Sequence, residues 1–183
     1  MKQSHLSLRT AKTSEAPKLL TLIEANIEEG HLLPRKLDEL KAHAMRFVVA
    51  TRGRTIVGCA ELAPLSPLVA EVRSLAVDRS ERGSGAGTRV VDELRHRARR
   101  AGFEKLCAFT HAPAYFIKMG FSIVPHLWLR EKVQTDCVNC PLFRQCGQYA
   151  MVVPLDATAD TILPGGEAPI LHREPAISLA RYA

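Results

Sequence analysis

The stretch EVRSLAVDRSERGSGAG, residues 71–87, passes from an apolar strand pattern through a turn into three glycines and then into a helix. Glu71 to Val77 is rich in β-branched and aliphatic residues and closes on the turn-forming Asp78-Arg79-Ser80. Arg82-Gly83-Ser84-Gly85-Ala86-Gly87 follows, and Thr88 opens an amphipathic helix to Ala101 whose first backbone N–H groups lack acceptors within the helix. Residues without a Cβ let an anion approach the backbone closely, and the helix dipole places roughly half a positive charge at that end. The stretch predicts an anion cradle, and a phosphate group fits it.

N-terminal to this stretch, His5 to Thr10 reads as an opening strand, and Thr13-Ser14 as the N-cap of a helix with Leu19, Leu20, Ile23 and Ile27 on one face, stopped by Gly30. An irregular connection, His31 to Arg35, leads to a short helix marked by Leu37, Leu40 and Ala44. Arg46 to Thr51 and Thr55 to Leu62, joined by Arg52-Gly53-Arg54, predict an antiparallel hairpin. After the glycine loop, Val90, Val91, Leu94, Ala98 and Ala101 form a buried stripe, with Gly102 as a left-handed cap. Lys105 to Thr110 then predicts a strand parallel to 71–77, completing a βαβ unit. Pro113 to Met119 is a short helix, Phe121 to Val124 a strand, Asp136 to Gln148 an irregular cysteine-rich segment, and Tyr149 to Pro154 the last strand. The pattern predicts an α/β fold with a mixed central sheet flanked by helices. One domain is expected over residues 1–155, including the segment 136–148, and the Pro- and Gly-rich residues 156–183 read as a flexible tail.

The 183 residues suit a single domain with a real core. The net charge of +6 is spread along the chain, no nucleic-acid motif is present, and aromatics make up only 5%, which together argue against nucleic-acid binding. No apolar run approaches the roughly 20 residues of a membrane span, and MKQSHLSLRTAK lacks a signal-peptide core, so a cytoplasmic protein is expected. Five cysteines without an export signal argue against a disulfide scaffold. Cys137-x2-Cys140-x5-Cys146 has a spacing that suits zinc or an iron–sulfur centre, but a closed site needs a fourth ligand, for which His126 or Cys107 is available. Buried reduced cysteines or a redox-sensitive pair are the alternatives.

The order of elements resembles the GCN5-related N-acetyltransferase (GNAT) superfamily. Its acetyl-CoA motif, Gln/Arg-x-x-Gly-x-Gly/Ala, is met by Arg82 to Gly87 directly after LAVDRSE, and YFIKMGF follows where that family has a helix ending in Gly-Phe. A dinucleotide fingerprint competes poorly, since GSGAG lacks the third glycine at the right offset. Over residues 8–153, the segments GHLLPRKLDEL, FVVATRGRTIVGCAEL and VPHLWLREKVQTDCVNCPLFRQCGQYAM look like the short, single-domain bacterial amino-acid N-acetyltransferases of N-acetylglutamate synthase type. The resemblance implies acetyl transfer from acetyl-CoA to the α-amino group of L-glutamate, the entry step of arginine biosynthesis. Another amine or a protein N-terminus as acceptor, or an acyl-CoA sensor without turnover, are the alternatives.

The resemblance also implies roles. Backbone groups of Arg82, Gly83, Ser84, Gly85, Ala86, Gly87 and Thr88 would hold the CoA pyrophosphate, and the strand edge at Leu75, Ala76 and Val77 would pair with pantetheine amides. Glu71 stands where several members carry a catalytic glutamate; its other reading is a strand charge paired with Arg73, which shares its face. Tyr115 is the candidate acid for the departing thiolate, although the family's tyrosine position falls on Phe116, a rotation of about 100° on a helix. Arg35, with Arg73 as second choice, is the candidate clamp for an acceptor carboxylate, against the reading of a solvated surface arginine. A homodimer is left open.

Overall fold

The alternating strand and helix signals become a seven-stranded mixed sheet in the computed structural model, which describes residues 5–27 and 32–155. In chain order the elements are β1 (Leu6–Thr10), α1 (Ala16–Ile27), α2 (Leu37–His43), β2 (Phe47–Arg52), β3 (Thr55–Pro64), β4 (Val69–Val77) and α3 (Ala86–Arg100), followed by β5 (Lys105–Thr110), α4 (Pro113–Lys118), β6 (Ser122–Val124), α5 (Arg130–Thr135) and β7 (Tyr149–Pro154). The spatial order is β1-β2-β3-β4-β5-β7-β6, with β4 and β5 the single parallel pair among the described strands. A parallel pair needs a crossover, and α3 supplies it.

Two apolar layers hold the sheet. Val90, Val91, Leu94 and Ala98 of α3 pack on one face against Val48, Ala60, Val72 and Leu106. Leu19 and Ile23 of α1 and Leu40 of α2 cover the other face, over Phe47, Val49 and Cys59. The helical spacing in the sequence names these faces correctly, with one exception. Ala101 is exposed, because α3 ends at Arg100 and the chain turns away through Gly102.

Three further boundaries differ from expectation. Thr13-Ser14 does not cap α1: residues 13–15 form a tight turn, and the Glu15 carboxylate accepts from the Lys12 N–H at 2.8 Å while pairing with Arg9. Helix α3 starts at Ala86, two residues before Thr88, because Gly85 takes the left-handed conformation, φ +83°, and acts as its N-cap. Helix α5 has no counterpart in the sequence reading. Gly30, His31 and the expected tail 156–183 lie outside the described residues.

The centre of the sheet carries two irregularities that shape everything nearby. Pairing between β4 and β5 covers only Val69–Glu71 against Lys105–Cys107, so the two strands diverge beyond Glu71. Between β3 and β4 the register jumps from Cys59↔Ala76 to Glu61↔Arg73, leaving Ser74 and Leu75 opposite Ala60 alone. That is a β-bulge, and Ser74 sits in it at φ +54°, a left-handed conformation unusual for a non-glycine residue. Such backbone persists only where the surroundings hold it.

Candidate active site

Two clefts open from this divergence. The first, about 560 Å³, lies between the ends of β4 and β5 and the start of α3. Leu75 and Val77 line one side, Arg82, Gly83, Gly85, Ala86, Gly87 and Thr88 the other, and Tyr115 closes over the helix start. Where β5 has left β4, the β4 backbone on that side has no strand partner among the described residues, and the opening amides of α3 have no helical acceptor. This lining suits a long ligand with amide groups at one end and an anion at the other. Ala76 and Ser84, expected among the contacting residues, do not line it; the Ala76 side chain is turned into the core at 1% exposure.

At Gly87 side chains approach the backbone closely. A Cβ there would lie 3.0 Å from the Tyr115 hydroxyl and 3.3 Å from Val77 Cγ2. The Tyr115 oxygen is buried without a hydrogen-bond partner among the described residues. Burial pushes its pKa above the ordinary tyrosine value, and the nearby Thr88 hydroxyl only partly opposes this. The neighbouring Phe116, at the family's tyrosine position, is buried in the core edge-on to Tyr115, ring centroids 5.2 Å apart. Both rings line the cleft; Phe116 is the more deeply buried, and the Tyr115 hydroxyl sits against Gly87 at the start of α3.

The second cleft, about 590 Å³, adjoins the first and shares Leu32, Val72, Ser74 and Phe109 with it. Arg35, Glu39, Glu71, Arg73, Lys132 and Asp136 share its lining with apolar residues such as Leu33, Val133 and Phe143. Glu71, 4% exposed, has both oxygens in use: Oε2 accepts from Arg73 Nε at 2.9 Å and Nη2 at 2.6 Å, and Lys132 Nζ reaches Oε1 at 2.8 Å and Oε2 at 2.9 Å. Asp136 Oδ2 bridges the same cations, 2.5 Å from Arg73 Nη2 and 2.7 Å from Lys132 Nζ. Burial raises the Asp136 pKa, but the Lys132 bond and the charges of Lys132 and Arg73 outweigh it and hold the carboxyl below its ordinary value. The expected pairing of Glu71 with Arg73 is thus present, and Lys132 is a second cation the sequence reading did not find.

Arg35 departs from the reading of a solvated arginine. Its side chain is 7% exposed; Nη2 lies 2.8 Å from Glu61 and 2.7 Å from Glu39, and Nη1 donates to Ser74 Oγ at 2.7 Å. Nε is buried without a partner among the described residues. Arg35 therefore ties the connection before α2 to the bulge, with the fully buried Glu61 beneath it.

Cys137, Cys140 and Cys146 line the second cleft as free thiols. The expectation of a zinc or iron–sulfur centre is not supported: among the described residues no group of three or more His, Cys, Asp or Glu side chains is arranged to hold a metal ion. Neither proposed fourth ligand helps. Cys107 is fully buried on β5, its thiol pushed well above the ordinary range by burial, and the ring of His126 packs on Phe109.

Sheet, bulge, splayed parallel pair and glycine-led helix together define an acyl-CoA-type acetyltransferase fold, and the pattern of the Acetyltransferase (GNAT) family matches residues 14–121. The chain belongs to that family. It is 28% identical over 148 residues to an uncharacterized N-acetyltransferase, CT2212, of Chlorobaculum tepidum, covering 81% of this chain and 96% of that protein. It is 29% identical over 137 residues to the amino-acid acetyltransferase of Neisseria meningitidis, covering 74% of this chain but only 31% of the longer protein. N-acetylglutamate synthase from Neisseria gonorrhoeae, solved with coenzyme A and N-acetyl-glutamate, superposes with a TM-score of 0.75 at 25% identity, over 85% of this chain and 36% of that one. No described helix is long and apolar enough to cross a membrane.

Proposed function

We propose that the chain transfers the acetyl group of acetyl-CoA to the α-amino group of an acidic amino acid, L-glutamate foremost, as an entry step to arginine biosynthesis in the cytoplasm. The carrying observation is the junction of two unlike clefts at Ser74: one with unpaired strand backbone and helix amides, the other with Arg35, Arg73 and Lys132. The first fits acetyl-CoA, with the pyrophosphate on the amides after Gly85 and the pantetheine along Leu75 to Val77. The second offers guanidinium forks and an ammonium to the carboxylates of an amino acid. Its nucleophile would then meet the thioester beside the bulge, whose turned-out backbone can donate to the developing oxyanion.

Attack needs a neutral amine. Glu71, at the floor of the second cleft, takes the ammonium proton in this reading. Arg73 and Lys132 fix the carboxylate in place, and Oε1, which accepts from Lys132 alone among the described residues, keeps a lone pair for the transfer. Tyr115 supplies a proton to the departing thiolate. Because burial raises its pKa, the hydroxyl stays protonated through neutral pH and is lost as an acid only above its ordinary value near 10. Tyr115→Phe is expected to lower kcat by about tenfold between pH 7 and 9 with CoA affinity kept. An unchanged pH–rate profile would remove the acid role.

The acceptor assignment is tested by following thiol release from acetyl-CoA against a panel of free amino acids, simple amines and short peptides. The expected result is the highest kcat/KM with L-glutamate. Release only with peptides or amines would move the acceptor, and tight CoA binding without release for any acceptor would favour a sensor.

A further inference from the structure

We propose that Asp136 and Glu39 are stand-in carboxylates: they occupy, on Arg73–Lys132 and on Arg35, the two places that an acceptor's carboxylates take. Acceptor binding is then an exchange of carboxylates, and the cleft selects amino acids that carry a second acidic group. The inference rests on the acceptor reading above and sharpens it.

The ion pairs of the cleft differ in whether they can move. Three cations of the cleft, Arg35, Arg73 and Lys132, face four carboxylates, Glu39, Glu61, Glu71 and Asp136. Glu61 and Glu71 belong to β3 and β4, with side-chain exposures of 0% and 5%, and are fixed by the sheet. Glu39 and Asp136 differ, at 36% and 38%, and both line the cleft. Glu39 stands on α2, four residues from Arg35, and Asp136 follows the last turn of α5, four residues from Lys132. Each is a solvent-facing carboxylate on a cation that is itself largely buried. Water can take over the exposed carboxylate's hydration when it leaves, whereas the buried cation needs another anion in its place.

Charge balance makes displacement obligatory. Every cation of the cleft is already matched, so an acid entering beside the resident carboxylates would add uncompensated negative charge in a partly desolvated space. If Asp136 swings out, Arg73 and Lys132 retain Glu71 and lack one anion. If Glu39 swings out, Arg35 retains Glu61 and Ser74 and regains an open donor edge, next to its unpartnered Nε. Two exposed stand-ins leave two vacancies, and Arg35, Glu39, Arg73, Lys132 and Asp136 line one cleft, so the seats share it. A single-carboxylate acceptor fills one seat and must leave the other to its resident.

Glutarate, a dicarboxylate with no amine to acetylate, is the probe, titrated calorimetrically into the full-length chain with CoA present. Asp136→Asn and Glu39→Gln keep side-chain size and remove the competing charge. Each is expected to tighten glutarate binding by roughly fivefold, the factor one exposed ion pair is worth, and the double variant more than either alone. Butyrate should gain less in the double variant than glutarate does. Glutarate binding that is unchanged or weaker in both single variants overturns the proposal, since it would make the residues supports rather than competitors. Should Asp136→Asn not fold, Glu39→Gln decides alone. The readout needs no turnover: tightening without glutamate acetylation sinks the acceptor assignment and keeps the exchange, and acetylation without tightening does the reverse.

Discussion

Glu71→Gln is expected to lower turnover with glutamate at least tenfold at pH 7 while leaving the acetyl-CoA dissociation constant unchanged. A positioned base is worth about 10²–10⁴ in rate, and glutamine keeps the size of the side chain and one acceptor oxygen but cannot take the proton. Glu71 lines the second cleft and does not line the first, where the proposed CoA site lies, so CoA binding has no reason to change. Removing the carboxylate also takes a partner from Arg73 and Lys132, and that effect must be told apart from loss of the base. Loosened cations raise the acceptor KM and leave kcat in place, whereas loss of the base lowers kcat and leaves a deficit that shrinks at a pH where the free amine is neutral in solution. Steady-state rates across pH for the two proteins separate these outcomes. Unchanged turnover at pH 7 would end the base role.

Much of this architecture is legible in the chain because it rests on periodicity and on glycine. Leu19, Ile23 and Leu40 on one face and Val90, Val91 and Leu94 on the other follow helical spacing, and all six are completely buried. The glycine-led start of α3 is legible for a related reason: a left-handed residue ahead of a helix calls for glycine, and Gly85 is that residue. The second cleft is harder to read since its parts come from distant segments. Glu61 looks like one more residue of an apolar strand, and its tie to Arg35, 26 positions away, has no local mark. Ser74 carries no sign of a positive φ; the bulge is imposed by pairing and by the Arg35 bond. Helix α5 is six residues long, too short for periodicity to stand out. One trace was present, the Lys132-x-x-x-Asp136 spacing that places opposite charges together on a helix. The cysteine spacing misled for the converse reason: residues close in sequence suggest a shared ligand, but the short turns at 137–139 and 143–145 assemble no metal-holding group with described neighbours.

Glu61→Ala is expected to be the costliest change to stability among the ion pairs in and beneath the second cleft, about 3 kcal/mol or more. The carboxylate is fully buried, 2.8 Å from Arg35 and with His43 Nδ1 3.0 Å from its other oxygen, though not in hydrogen-bond geometry. A buried ion pair adds little over apolar packing, but breaking one by deleting a partner typically costs about 3–5 kcal/mol because a charge is left without compensation. Arg35, 7% exposed, would keep Glu39 and Ser74, so the lower end of that range applies. At roughly 2–4 °C per kcal/mol for a domain of this size, the melting temperature should fall by about 6–12 °C. Glu39→Ala supplies the comparison, since it removes a partner of the same arginine from an exposed position and should cost no more than about 1 kcal/mol. Thermal and urea unfolding of the three proteins give the ordering, and equal losses for the two variants would mean that Glu61 is not the anchor. The same anchor has a consequence for turnover: Arg35 keeps its bond to Ser74, but with Glu61 no longer fixing the guanidinium that bond holds the bulge residue at φ +54° less firmly. The survivors of Glu61→Ala at low temperature should therefore show a lower kcat as well as a higher acceptor KM, where a purely global loss of stability would leave both unchanged in the folded fraction.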